Sequence, residues 1–196
     1  VARPRGVGRA RPPVRPVIPH VHLVSVDLGV RYLAVAGWTC AWLDRDAREG
    51  PRTRWELVDA ARLVAPEGPS GPKGDRAAAE ALARQLATWA VRWQGAAAEL
   101  VIEVPTSYPG HTATEPTLER MRRTAAAVAR PWSLKRQVEP REWKGNVPKE
   151  IHHARALAAL LPHEVALWSA DDHDVRDAIA LGLWAVGRLQ RGGVLV

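Results

Sequence analysis

The stretch His22-Leu23-Val24-Ser25-Val26-Asp27-Leu28-Gly29 decides how the rest of the chain is read. Its apolar run is short, nearly unbroken and rich in β-branched residues, the pattern of a central strand covered on both faces. Asp27 ends that run. A carboxylate desolvated without a partner is costly, so this position demands hydrogen-bond donors, a basic partner or a cation.

Moving toward the C-terminus, Tyr32 to Trp42 and Arg54 to Val64 read as two further strands joined by a polar turn from Asp44 to Pro51. With the first strand they form an antiparallel meander. After a Gly/Pro-rich loop, Pro66 to Gly74, the residues Leu82, Leu86, Trp89 and Trp93 recur at steps of four, three and four, predicting a helix from Asp75 to about Gln94 capped by Asp75. Leu100-Val101-Ile102-Glu103-Val104 is a second buried strand that carries a carboxylate, and Pro105 to Pro116 is a polar loop. A helix over Glu119 to Ala129, a strand over Ser133 to Val138, a helix from Lys149 to Leu161 opened by Pro148, and a last helix from about Asp172 to Gln190 complete the pattern. The chain is therefore expected to be α/β, a mixed five-stranded sheet with an antiparallel three-strand meander, flanked by helices.

Toward the N-terminus, Arg3, Arg5, Arg9, Arg11 and Arg15 alternate with Pro4, Pro12, Pro13, Pro16 and Pro19, so residues 1–20 are expected to be a disordered basic arm. Such an arm can contact phosphates, or be a solvated tail or an extension of the start site. One domain is expected over residues 21–190, with 191–196 as a tail.

The 196 residues suit one domain, and a net charge of +7 favours an anionic partner, nucleic acid being the commonest. Arginine makes up 24 of the 28 basic residues, so part of that charge reflects coding bias. Cys40 is the only cysteine, which excludes an intramolecular disulfide and a zinc site built from several thiolates. No apolar run reaches the roughly 20 residues of a membrane span, and a soluble, cytoplasmic protein with no membrane partner and no small-molecule cofactor is expected.

Asp27 and Glu103, one on each of two buried strands of one sheet, can sit side by side and would repel unless a cation lay between them. Asp171-Asp172-His173-Asp174-Val175-Arg176-Asp177 leads into an apolar helix, and Asp174 and Asp177, three apart, share one face of it. An acid-rich first turn that complements the helix dipole would account for Asp171 or Asp172, but poorly for Asp177, which apolar residues follow. Four converging carboxylates suit two magnesium ions, with manganese as a substitute, that activate water and stabilise the leaving oxygen in hydrolysis of a phosphodiester.

These segments resemble the RuvC family of Holliday-junction resolvases, which has an RNase H-like fold. Val24-Ser25-Val26-Asp27-Leu28-Gly29-Val30-Arg31 is similar to the family's first strand, in which an aspartate precedes a glycine and a basic residue. Val101-Ile102-Glu103 resembles the strand with the family's glutamate, and Asp174-Val175-Arg176-Asp177-Ala178-Ile179-Ala180 its closing motif. Lys144-Gly145-Asn146-Val147-Pro148-Lys149 resembles its lysine-containing loop. The resemblance implies a homodimeric crossover-junction endonuclease acting on branched DNA, with Asp27, Glu103, Asp174 and Asp177 as catalytic metal ligands. It further implies that Lys149, and with it Lys144, stabilises the charge developing at phosphorus. His173 or Asp172 is the alternative to Asp174 as ligand. The family's aromatic wedge after the glutamate has no phenylalanine here; Tyr108 is the candidate to stack on an unpaired base, or is an ordinary surface tyrosine.

Arg122 and Arg123, with Arg120 and Arg130, make a basic helix surface that can follow a DNA backbone or be a solvated arginine face. His152 and His153 point about 100° apart on a helix and cannot chelate one ion; one is expected exposed and one near DNA phosphate. The nine tryptophans are expected to fill the core and its rim, with Trp143, beside Lys144, as the candidate for base stacking. Rival readings are another RNase H-type nuclease or strand-transfer enzyme, and a binding module without chemistry.

Overall fold

Strand β1 (Leu23–Leu28) is buried at every residue and lies in the middle of a five-stranded sheet. The computed structural model describes residues 22–44, 52–92, 98–106, 114–168 and 171–193. On one side of β1, strands β2 (Tyr32–Asp44) and β3 (Arg52–Val64) complete an antiparallel meander. On the other, β4 (Glu99–Glu103) and β5 (Lys135–Val138) run parallel, giving the order β3-β2-β1-β4-β5. The mixed sheet and its meander are those expected from the strand pattern.

Two layers of helix cover the sheet, and the period-two alternation of β1 and β4 assigns residues to them. Val24, Val26, Leu100 and Ile102 face Leu82, Leu86 and Trp89 of α1 (Pro72–Arg92) and Ala125 and Val128 of α2 (Glu115–Ala129). Leu23 and Val101 face α5 (His173–Ala185), beside α3 (Pro140–Trp143) and α4 (Lys149–Ala159). Because Val26 pairs with Ile102, Asp27 and Glu103 end neighbouring parallel strands and point to the α5 face.

Helix α5 packs very closely on the sheet. Ser25 Oγ donates to Ala178 O at 2.7 Å and accepts from Trp38 Nε1 at 3.1 Å, and all of this is buried. A Cβ on Gly182 would lie 2.0 Å from Trp38 Nε1, so glycine is required there by the close approach of indole to helix. Gly182→Leu is expected to destabilise the fold by about 1–3 kcal/mol or more through overpacking. A denaturant midpoint unchanged by this substitution would show that the helix can shift away from the sheet.

Several boundaries differ from the sequence reading. Helix α1 begins at Pro72, so Asp75 lies within its first turn and pairs with Arg120 at 3.1 Å instead of capping it. Pro148 is the cap residue of α4 and not its first helical residue. Helix α5 stops at Ala185 because Gly187 takes φ 78°, letting the Arg188 and Gly187 amides bond Leu183 O and Trp184 O at 2.8 and 3.1 Å. Arg191–Gly193, expected in a tail, form a 3-10 turn whose Gly192 carbonyl accepts from Arg155 at 2.7 Å. The basic arm, Tyr108 and Trp93 lie outside the described residues. No described helix is long and apolar enough to cross a membrane.

Candidate active site

Asp27 and Glu103 reach the α5 face at the ends of β1 and β4, and Asp174 and Asp177 reach the same place from the first turns of α5. All are buried, with exposures of 8, 9, 6 and 4% respectively. Helix α5 is held there by its N-cap: Asp172 accepts from the amides of Asp174 and Val175 at 3.0 and 3.2 Å. Asp172 is thus a cap that also pairs with Arg62, and the helix spacing of three leaves Asp174 and Asp177 facing the strand ends.

Lys144, in the turn after α3, sends its ammonium into the cluster, 3.0 Å from Glu103 Oε2 and 3.5 Å from Asp177 Oδ2. Lys149, the first residue of α4, lies 2.9 Å from Asp177 Oδ2. Both lysines singled out in the sequence therefore meet the carboxylates. Arg122 and Arg123 do not: they pair with Glu115 and Glu119 near the start of their own helix at 2.8 and 2.9 Å. The solvated-face reading describes their contacts.

Four supporting residues escaped the sequence reading. Trp143 is fully buried and donates its Nε1 to Glu103 Oε2 at 2.9 Å, so it positions a carboxylate and is not free to stack on a base. His153 is bonded through Nε2 to Asp177 Oδ1 at 2.7 Å. Both His152 and His153 are buried, contrary to the expectation of an exposed ring, because α4 packs that edge against Trp143 and Trp168 respectively. The third and fourth are Tyr32, whose hydroxyl interacts with Asp174, and Arg62, which lies 3.4 Å from Asp174 and 4.0 Å from the centre of the Tyr32 ring. The Tyr32 ring lies over Gly29, where a Cβ would meet it at 2.2 Å, which gives the glycine after Asp27 a steric reason. His173 is exposed and pairs with Asp174 at 3.0 Å.

The electrostatics grade these acids. Burial pushes the Asp27 carboxyl well above the usual carboxylate range; Glu103 pushes the same way, Lys144 opposes, and Asp177 and Asp174 add to the rise. Burial also acts to raise Asp177, but the His153 hydrogen bond and the charges of Lys144 and Lys149 outweigh it and hold that carboxyl well below its ordinary value. Burial disfavours the Lys144 charge, yet Glu103, Asp177 and Asp27 hold it protonated. His152 is pushed down to about 4 by burial, so its ring is neutral near pH 7. Tyr32 is pushed up to about 12 by burial and by Asp174.

Oxygen donors alone, borne by rigid elements, fit a hard divalent cation such as magnesium or manganese better than zinc or copper. Among the described residues no three acidic, His or Cys side chains are already drawn together as a metal site. Lys144 lies between two of these acids, its ammonium 3.0 Å from Glu103 and 3.5 Å from Asp177. Asp27, whose charge burial and Glu103 disfavour, is a group whose ionisation a cation would relieve.

The fold recurs among solved proteins. A Thermus thermophilus RuvC structure aligns over 84% of this chain and 95% of its own with a TM-score of 0.54 at 12% identity. The fold is that of the RuvC-type resolvases. T. thermophilus RuvC in complex with Holliday junction substrate aligns at TM-score 0.50 and 13% identity over 85% of this chain and 96% of that one. The yeast mitochondrial Holliday junction resolvase Ydc2 aligns at TM-score 0.52 and 14% identity over 85% and 79%. No protein-family model and no curated protein matches the chain, so this RuvC-like, RNase H-type fold is recognised through its three-dimensional arrangement.

With Asp177 read as a metal ligand, His153→Ala would remove its orienting partner and is expected to weaken divalent-metal binding or turnover on the order of 10–100-fold. His153→Gln, which can still donate to Asp177, should recover part of that. Manganese titration by calorimetry reads the effect apart from catalysis; unchanged affinity and unchanged rate in the alanine variant would reduce His153 to packing.

Proposed function

We propose that the chain is a divalent-metal-dependent endonuclease that cuts branched DNA, with four-way junctions as its substrate. The observation that carries this reading is the gathering of four buried carboxylates from β1, β4 and α5 beside two lysines. The fold shared with solved junction resolvases, one of them in complex with a Holliday junction, supports the choice of substrate. The net charge of +7 suits a polyanion.

Asp27, Glu103, Asp174 and Asp177 would hold the metal. When bound, magnesium or manganese would supply an activated water and charge neutralisation at the scissile phosphate. Trp143 and His153 fix one oxygen each of Glu103 and Asp177. Tyr32 and Arg62 steady Asp174. Lys149, half-exposed at the rim, presents a fixed positive charge to the phosphate and the oxygens that gain charge as the bond breaks. A two-fold homodimer would supply the two symmetry-related cuts that resolution of a junction needs.

The test is cleavage of a synthetic four-way junction in magnesium, beside duplex, single strand and RNA–DNA hybrid. Paired nicks in the junction alone are expected. Preferential cutting of the hybrid would move the protein to another RNase H-type activity, and binding without cutting of any substrate would make it a recognition module. Lys149→Ala should slow cleavage of bound junction by roughly 10²-fold while weakening binding far less. Normal cleavage once bound would reassign Lys149 to simple phosphate contact.

A further inference from the structure

A cavity of about 580 Å³ lies beside the carboxylate cluster, between α4 and α5. Lys149, His153 and Leu157, at steps of four along α4, form one wall with Glu150 and Ala154. His173 and Arg176, three apart on α5, form another, one residue around the helix from Asp174 and Asp177. Trp168 closes the remaining side, edge-on to His153 at 5.9 Å.

The lining is divided by chemistry. Lys149 and His153 both touch Asp177, and His173 touches Asp174, so this end opens on the carboxylates. Ala154, Leu157 and Trp168 make an apolar floor, with Leu157 38% exposed although it is a large aliphatic residue. An apolar floor with an indole, rimmed by Lys149 and Arg176 with Glu150 beside them and opening onto the carboxylate cluster, matches a nucleotide: a flat aromatic base on the floor and a phosphate against the lysine and arginine. A magnesium-sized ligand would leave the floor uncovered, and an apolar peptide would leave the cations unused.

We propose that this cavity receives the nucleotide next to the scissile phosphate, its base turned out of the stack onto Trp168 and Leu157 and its backbone held by Lys149 and Arg176. The proposal rests on the nuclease reading and specifies the substrate of that same site. Branch points favour it, because a base there has already lost part of its stacking and costs less to turn out. A base-specific preference for the cut would follow from how each base fills the floor.

Two substitutions block the cavity while keeping the carboxylates and their partners as residues: Ala154→Trp fills it, and Leu157→Glu charges its floor. Ala154 and Leu157 are exposed helix residues, so either variant should fold, and unchanged manganese binding by calorimetry would show the cluster intact. Junctions with a single abasic residue at each position flanking the cut are compared with the intact junction. In wild type, one abasic position should slow cleavage on the order of 10-fold, the scale of one lost base–aromatic stack. Each variant should be slowed similarly on the intact junction and lose nothing further at that abasic position. Variants that cut at the wild-type rate, or that retain the full abasic penalty, would overturn the proposal.

Failure of the nuclease reading is seen separately, as no cutting of any branched substrate by wild type. The cavity is then judged by 2-aminopurine placed at the branch point of each strand, with calcium present. A fluorescence rise on binding that both variants abolish supports it, and no rise at any position overturns it.

Discussion

Asp27→Asn is expected to abolish cleavage, by on the order of 10³-fold or more, and at the same time to raise the melting temperature of the metal-free protein. On the proposed function, the loss of activity follows from removing an oxygen that would hold the metal. The gain follows from the position itself: burial and Glu103 make the Asp27 charge unfavourable in the folded state, and asparagine fills the same space uncharged. The sign can be checked against pH. A carboxyl whose folded pKa is raised binds its proton more tightly folded than unfolded, so the folded state gains stability as pH falls through the raised value. Wild type in chelator should therefore show a stability increment on mild acidification that the variant lacks, within the range where the rest of the fold holds. Saturating magnesium should reverse the order, stabilising wild type more than the variant. A variant that melts below wild type without metal would show that Asp27 is satisfied by its surroundings, and that the case for a cation beside it is weak.

That residue was legible in sequence because a fully buried strand leaves little room for an acid at its end. Glu103 ends β4 in the same way, and Asp174 and Asp177 show the helical spacing of three in a segment whose next turns are apolar. Lys144 and Lys149 could be singled out through the family's loop. The partners of the acids could not be. Trp143 meets Glu103 across 40 residues and His153 meets Asp177 across 24, and no local pattern encodes which apolar-looking tryptophan or discounted histidine will face a carboxylate. Tyr32 reads in sequence as a strand residue, and nothing local encodes its reach to Asp174. One missed element did leave a signal. Glu139-Pro140-Arg141-Glu142 carries proline at the first helical position and a reciprocal capping box, and these start the four-residue α3 that delivers Trp143.

The fold-level expectation succeeded because it depended on apolar runs and the order of elements along the chain, which local sequence carries. Helix ends fared less well, since Gly187 and Pro72 set them through backbone conformation and not through the apolar stripe. The distinction matters for the site: α5 must be long enough to bury Ala178 and Gly182 on the sheet, but only its first turns bear the acids.

Glu164→Ala is expected to cost about 3–5 kcal/mol, the scale for breaking a buried ion pair by removing one partner. Glu164 has no exposed side-chain surface and lies in the turn after α4. It accepts from the Leu57 and Leu161 amides at 2.6 and 2.7 Å and from both Arg188 terminal nitrogens at 2.8 and 2.7 Å. Arg188 in turn donates to Trp55 O and Ala159 O. One carboxylate thus ties β3, the end of α4 and the chain leaving α5 together, and its loss strands a guanidinium and two amides at once. Against a total stability of about 5–15 kcal/mol, that is a large share. Burial acts to raise the Glu164 pKa, but the Arg188 and backbone hydrogen bonds outweigh it and hold it below the ordinary value. Its contribution is accordingly complete above the unfolded carboxyl pKa and is lost as pH falls through the lower folded value, so acid should narrow the gap between variant and wild type. Urea unfolding at neutral and acid pH reads both effects. Glu164→Leu combined with Arg188→Met should recover much of the loss, because an apolar pair strands no charge; if the double variant is as unstable as Glu164→Ala, the backbone amides, and not the ion pair, carry the stabilisation.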